Sequence, residues 1–159
     1  MLKNNNFHMS HFECGSSHLE TDHLVLELSH DHFSYQRIRE LAPIQEPAPL
    51  FLDLTDIAEG ETHVRLTYHV SERLKPFRAL QTEEYAVKLA ICHQLMQDQV
   101  LAHTTDYVSL HPSTLFYYPM QTVRYTYRAN AVMPREAKWL PVKRYQALIL
   151  SVLTGVSYE

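Results

Sequence analysis

Tyr107-Val-Ser-Leu-His-Pro-Ser-Thr-Leu-Phe-Tyr-Tyr-Pro-Met-Gln-Thr-Val-Arg-Tyr-Thr-Tyr-Arg-Ala129 is the stretch on which the reading of this chain turns. Phe and Tyr crowd residues 114–118 and 122–127, which predicts two short strands, and Tyr118-Pro119-Met120-Gln121 supplies the turn between them. Alternation on the second strand sets Val123, Tyr125 and Tyr127 on one face, as core, and Arg124, Thr126 and Arg128 on the other. Arg and Tyr are enriched at protein interfaces, so Arg124, Arg128 and the nearby Arg135 form the candidate protein-interaction surface. The stretch contains no Asp and no Glu.

Upstream, Leu24-Val-Leu-Glu-Leu-Ser29 alternates as a half-buried strand does, with Leu19-Glu-Thr-Asp22 leading into it as a hairpin partner. Phe33, Arg37, Ile38 and Leu41 follow at helical spacing after a Ser29/Asp31 cap, and Pro43 ends that helix. Leu50 to Thr55 and His63 to Val70 read as an antiparallel hairpin around Glu59-Gly60-Glu61. Lys75 to Leu80 is a short turn or helix. Thr82 is then expected to cap a long helix, with Glu83 and Glu84 in its first turn and Tyr85, Leu89, Cys92, Met96 and Val100 as its core face. Downstream, a last helix from about Val142 carries a Tyr145, Leu148, Ile149 and Val152 stripe and stops at Gly155.

With 159 residues and 45% hydrophobic content, the chain supports one ordinary core. Residues 1–16 are polar and expected to be flexible, leaving 17–159 as a single domain of α+β class, with a small antiparallel N-terminal sheet and a mainly helical C-terminal part. The 18 acidic residues outnumber the 14 basic ones, giving a net charge of -4 and no global basic field for nucleic acid. The two cysteines, Cys14 and Cys92, stand apart in a spacing unlike any metal-ligand or disulfide framework and are expected to be free thiols in a reducing cytosol. The N-terminus has no apolar signal region. The longest apolar run, Tyr145 to Val156, falls short of the roughly 20 apolar residues that cross a bilayer. A helix reaching its Gly stop so near Glu159 leads to the expectation that the chain is a piece of a longer protein.

The 107–129 stretch resembles a protein-kinase catalytic loop and magnesium loop stripped of its chemistry. In a kinase, H-R-D-L-x-x-x-N and D-F-G supply the Asp that orients the substrate hydroxyl and the Asn and Asp that hold magnesium. Here Leu110-x-Pro112 and Leu115-Phe116 keep the frame, while Ser109 replaces the catalytic Asp, Thr114 the Asn, and Tyr127 the Asp of D-F-G. The three glycines, at 15, 60 and 155, form no phosphate-cradling loop. Lys88, in Ala86-Val87-Lys88, sits within the long helix and reads as a solvated residue; Asp106 reads as a turn residue. His11-x-x-Cys14-x-x-x-His18 is the nearest approach to a metal motif and lacks a fourth ligand, so no metal and no cofactor is expected. Gly-x-Ser-x-Gly and His-Glu-x-x-His are absent, and Cys92 reads as a core thiol.

Leu66-Thr-Tyr-His-Val70, Lys75-Pro-Phe-Arg78, the helix through Leu101, Tyr107 to Leu115 and Lys143-Arg-Tyr-Gln-Ala-Leu-Ile149, taken in order, resemble the cytosolic domain of the EssB/YukC family of Gram-positive type VII secretion systems. The resemblance spans about residues 20–159. It implies a shortened, kinase-like (pseudokinase) fold without catalytic residues, on the cytoplasmic side of a single-pass membrane protein whose anchor lies beyond residue 159. It also implies a scaffold role in exporting WXG100-type substrates, with other secretion components, those substrates and a second copy of the chain as candidate partners. The competing expectations are a small active phosphotransferase with unorthodox residues and a free-standing cytosolic adaptor.

Overall fold

The computed structural model describes residues 10–12, 15–29, 50–98, 110–119, 122–126 and 140–156. Strands β1 (Ser10–Phe12), β2 (Gly15–Glu20), β3 (His23–Ser29), β4 (Asp53–Glu59) and β5 (His63–His69) form an antiparallel sheet in the order β1-β2-β3-β5-β4. The α+β expectation and the small N-terminal antiparallel sheet therefore hold. Pairing starts earlier than the expected boundary at residue 17, since Ser10–Phe12 and Gly15–Ser16 already lie in strands. The helix expected over 29–41 lies outside the described residues, apart from Ser29, which ends β3.

Register explains which face is buried. Leu24, Leu26 and Leu28 of β3 oppose Tyr68, Leu66 and Val64 of β5. All six are at most 4% exposed, and with Leu52, Val70 and Phe116 they make the first core. The pleat sends His23, Glu27, Arg65 and His69 to the opposite face. There Arg65 donates to Glu27 Oε1 across the strands at 2.8 Å. β4 starts at Asp53, later than expected, and contains a register shift between Leu54 and Asp56, where Thr55 Oγ1 donates to the Thr67 carbonyl.

Among the described residues the second half holds the three-stranded sheet β6 (Lys75–Pro76), β7 (Phe116–Tyr117) and β8 (Val123–Arg124), two 3-10 turns (Phe77–Thr82 and Pro112–Thr114), and helices α1 (Tyr85–Gln97) and α2 (Leu140–Thr154). The expected strands at 114–118 and 122–127 shrink to two residues each because residues 112–114 wind into a 3-10 turn and Tyr125 leaves the hairpin. Tyr125 instead bridges Phe51 in parallel: Leu52 N donates to the Tyr125 carbonyl and Tyr125 N to the Leu50 carbonyl, each at 2.9 Å. Residues 50–52, expected to open a strand of the first sheet, thus tie it to the second half.

Helix α1 departs from expectation at its start and on its face. Thr82 does not cap it: its hydroxyl donates to the Ala79 carbonyl and closes the 3-10 turn, and Glu84 is the N-cap residue. The buried side is Ile91, Cys92 and Leu95, while Tyr85, Leu89 and Met96, expected to be core, are 62%, 45% and 54% exposed; Val100 lies outside the described residues. Apolar residues occupy both sides of this helix, so periodicity alone leaves its rotation open, and packing against α2 and the hairpin sets it. Helix α2 follows its expected stripe, with Leu148 and Val152 buried and Tyr145 and Ile149 packed beside them. It stops at Gly155, whose φ of +70° permits the left-handed cap and whose N–H donates to the Ser151 carbonyl.

Candidate functional site

Between the two cores lie residues 110–119 and 122–126, a loop and the two strands of a hairpin. Pro112 opens the loop's 3-10 turn, where a missing N–H costs nothing. His111 caps that turn, its Nδ1 accepting from the Ser113 N–H at 3.2 Å. A His cap is not among the usual Ser, Thr, Asp or Asn signals, so the sequence offers little to find it by. Thr114 is fully buried, and its hydroxyl donates to the His111 carbonyl at 2.8 Å. Leu110 and Leu115 enter the second core. Phe116 turns into the first core and its neighbour Tyr117 into the second, because consecutive strand residues face opposite ways. Ser109, Asp106, Tyr127, Arg128 and Arg135 lie outside the described residues.

The carboxylates near the hairpin come from outside the 107–129 stretch. Glu83 accepts from Lys75 Nζ at 2.7 Å and from the Tyr117 hydroxyl at 3.0 Å. The Lys75 hydrogen bond, then that of Tyr117, holds the Glu83 carboxyl below its ordinary range. Asp98, at the end of α1, accepts from the Tyr125 hydroxyl at 2.9 Å and from Gln94 at 2.7 Å. These residues stand 34 and 27 positions from their phenols, and no local pattern in the sequence links them. Of the candidate interaction surface, Arg124 is half-buried and stacks its guanidinium over Tyr118, 5.8 Å from the ring centroid. Thr126, expected to share its open face, is fully buried, since two-residue alternation ends where Tyr125 leaves the hairpin.

The other candidates resolve simply. Lys88 lies inside α1, as its spacing implied. Cys92 is buried, and burial pushes its thiol up, away from nucleophilic use. Cys14 lies outside the described residues, and His18 Nε2 faces Glu20 at 3.2 Å.

The phenols predict a pH response. Burial, reinforced by Glu83, pushes Tyr117 up; burial, reinforced by Asp98, pushes Tyr125 up; burial, then the Asp98 charge, pushes Tyr145 up to about 12. A phenol raised in the fold favours the folded state fully below its unfolded value near 10, and that contribution is lost as pH climbs toward the folded value. Urea midpoints are therefore expected to decline gently above about pH 8.5, where the raised Cys92 thiol comes into play, and to fall more steeply between about pH 10 and 12, with that steeper part shallower in Tyr117→Phe and Tyr125→Phe. A flat midpoint through that window would contradict the placement of these rings.

No protein-family model and no curated protein matches the chain. Solved structures do. The Staphylococcus aureus EssB cytoplasmic fragment superposes with a TM-score of 0.61 at 16% identity, over 84% of this chain and 78% of that one. This chain has the fold of the EssB cytoplasmic fragment. The Geobacillus thermodenitrificans EssB cytoplasmic fragment superposes with a TM-score of 0.62 at 14% identity, over 84% of this chain and 65% of that one. At these identities the likeness to EssB is one of fold. Among the described residues no helix is long and apolar enough to cross a membrane.

Proposed function

We propose that this domain is a non-catalytic, pseudokinase-like docking module of a membrane-anchored component of the type VII secretion machinery. The observation that carries the reading is how the hairpin uses its polar groups. Thr114 is buried and bonded to its own turn, and the nearby Glu83 and Asp98 are engaged with Tyr117 and Tyr125. Kinase chemistry needs carboxylates aimed at a metal and a hydroxyl in solvent. Here the carboxylates hold phenols, which favours a frame kept for packing. The likeness to EssB cytoplasmic fragments supports the reading. The setting that goes with it in this proposal is the cytoplasmic side of a secretion assembly, with other machine subunits, WXG100-type substrates or a second copy of the chain as partners.

Isothermal titration with ATP and magnesium tests the first half of this reading. Flat heats are expected. Saturable micromolar binding would instead favour a small phosphotransferase. The second half is tested by co-purifying the chain with the other membrane and cytosolic subunits of a type VII system. Arg124→Ala combined with Arg128→Ala is expected to weaken capture while leaving the far-UV circular dichroism spectrum unchanged.

A further inference from the structure

The face of the five-stranded sheet turned away from the first core carries, at one end, a polar row that the hairpin chemistry does not use. Glu20 of β2 pairs with His23 of β3, His23 with His69 of β5, and His69 with Asp53 of β4. Residues directly opposite one another in antiparallel strands share a face, so all four side chains stand opposite the core face that bears Leu24 and Tyr68. Asp22, in the turn between β2 and β3, closes the end of this row. Its backbone carbonyl accepts the Val70 N–H at 2.7 Å, which pins the turn beside the end of β5. Its carboxylate lies 2.5 Å from His23 Nδ1, and the His23 and His69 rings meet edge to face with centroids 5.9 Å apart. One ligand atom from each of Asp22, His23 and His69 falls within 4.8 Å of the other two.

We propose that Asp22, His23 and His69 form a binding site for a zinc-class divalent cation. Two imidazoles and one carboxylate are the donor set that borderline cations prefer over magnesium or calcium, which take all-oxygen shells. Bonds of about 2.0–2.2 Å put ligand atoms on one ion roughly 3–4 Å apart, so the present spacing needs only small side-chain rotations. His23 and Asp22 are 37% and 52% exposed at the side chain, which leaves room for those rotations and for entry of the ion. The two histidines are held on adjacent paired strands and Asp22 by the backbone bond to Val70, so little ordering remains when the ion binds. Three protein ligands leave a position open for water or for a group from a partner. The ion would clamp the β2–β3 turn to the end of β5. This inference is independent of the docking role.

The test is a thermal melt of the EDTA-stripped full chain with added zinc chloride, paired with cobalt(II) titration read by visible absorption. The wild type is expected to bind one ion per chain, with a tetrahedral cobalt spectrum. Its midpoint should rise by about 5–10 °C at free zinc a hundredfold above Kd. Both signals should vanish in His23→Ala/His69→Ala and weaken in Asp22→Asn, with apo spectra matching the wild type in circular dichroism. Both should persist in His8→Ala/His11→Ala/Cys14→Ser, which removes the N-terminal donors. An unchanged wild-type midpoint, a shift that survives His23→Ala/His69→Ala, or a shift lost with the N-terminal donors would each overturn the site.

Discussion

Tyr125→Ala is expected to lower the unfolding free energy by about 3–5 kcal/mol, the range for removing a large buried aromatic side chain. The ring is fully buried in the second core and tilts against Phe51, 6.2 Å between centroids. Its backbone holds residues 50–52 through two hydrogen bonds, so the cavity opens beside the contact that joins the first sheet to the second half. Native domains are stable by only about 5–15 kcal/mol, which makes this loss a large share of the total. Tyr125→Phe keeps the ring and removes the donor to Asp98 Oδ2. A hydrogen bond to a charged group contributes roughly 1.5–3 kcal/mol, so the Phe variant should fall near the lower end of that span, Gln94 still serving the carboxylate. Urea unfolding followed by far-UV circular dichroism measures both. If Tyr125→Ala cost no more than Tyr125→Phe, the ring would not be packed as described.

Gly15→Ala is expected to be nearly as damaging, for a different reason. A Cβ at Gly15 would lie 1.9 Å from the Glu27 carbonyl oxygen and 3.2 Å from Leu28 Cα, all backbone of the neighbouring strand. No rotamer relieves a clash with backbone, so β2 must shift away from β3 where Gly15 pairs with Leu28. The expected cost is about 3 kcal/mol, toward the upper end for overpacking, with faster amide exchange in Ser10–Phe12 and Gly15–Glu20. Gly155→Ala offers the contrast. Nothing lies within 4 Å of a Cβ there, and the cost arises only from the φ of +70°, about 1 kcal/mol. Equal losses at the two glycines would contradict the close approach of β2 and β3.

Several elements were legible in the chain because their signals are local. The alternation of Leu24, Leu26 and Leu28 marks a strand with one buried face, and β3 buries that face. Leu148 and Val152 at helical spacing, with Gly155 as the stop, describe α2. Helix α1 was legible as a helix and misleading as a face, since Tyr85, Leu89 and Met96 compete with Ile91 and Leu95 for the inside and Cys92 belongs to both stripes. The hairpin was legible as scaffold. Leu110, Leu115 and Phe116 are buried, but that Phe116 and Tyr117 serve different cores could be known only once both were present.

Local patterns in the chain are enough for the α+β class, for strands β2, β3 and β5, for helices α1 and α2, and for the absence of any carboxylate between Tyr107 and Ala129. Those follow from composition and from periods of 2 and 3.6 residues, which neighbouring residues encode. Tertiary packing alone brings the Glu83 and Asp98 carboxylates to the Tyr117 and Tyr125 hydroxyls, and Asp22 and His23 to His69. Those pairings join residues tens of positions apart. They depend on strand order, register and helix rotation, which local patterns leave open and the burial of two shared cores selects.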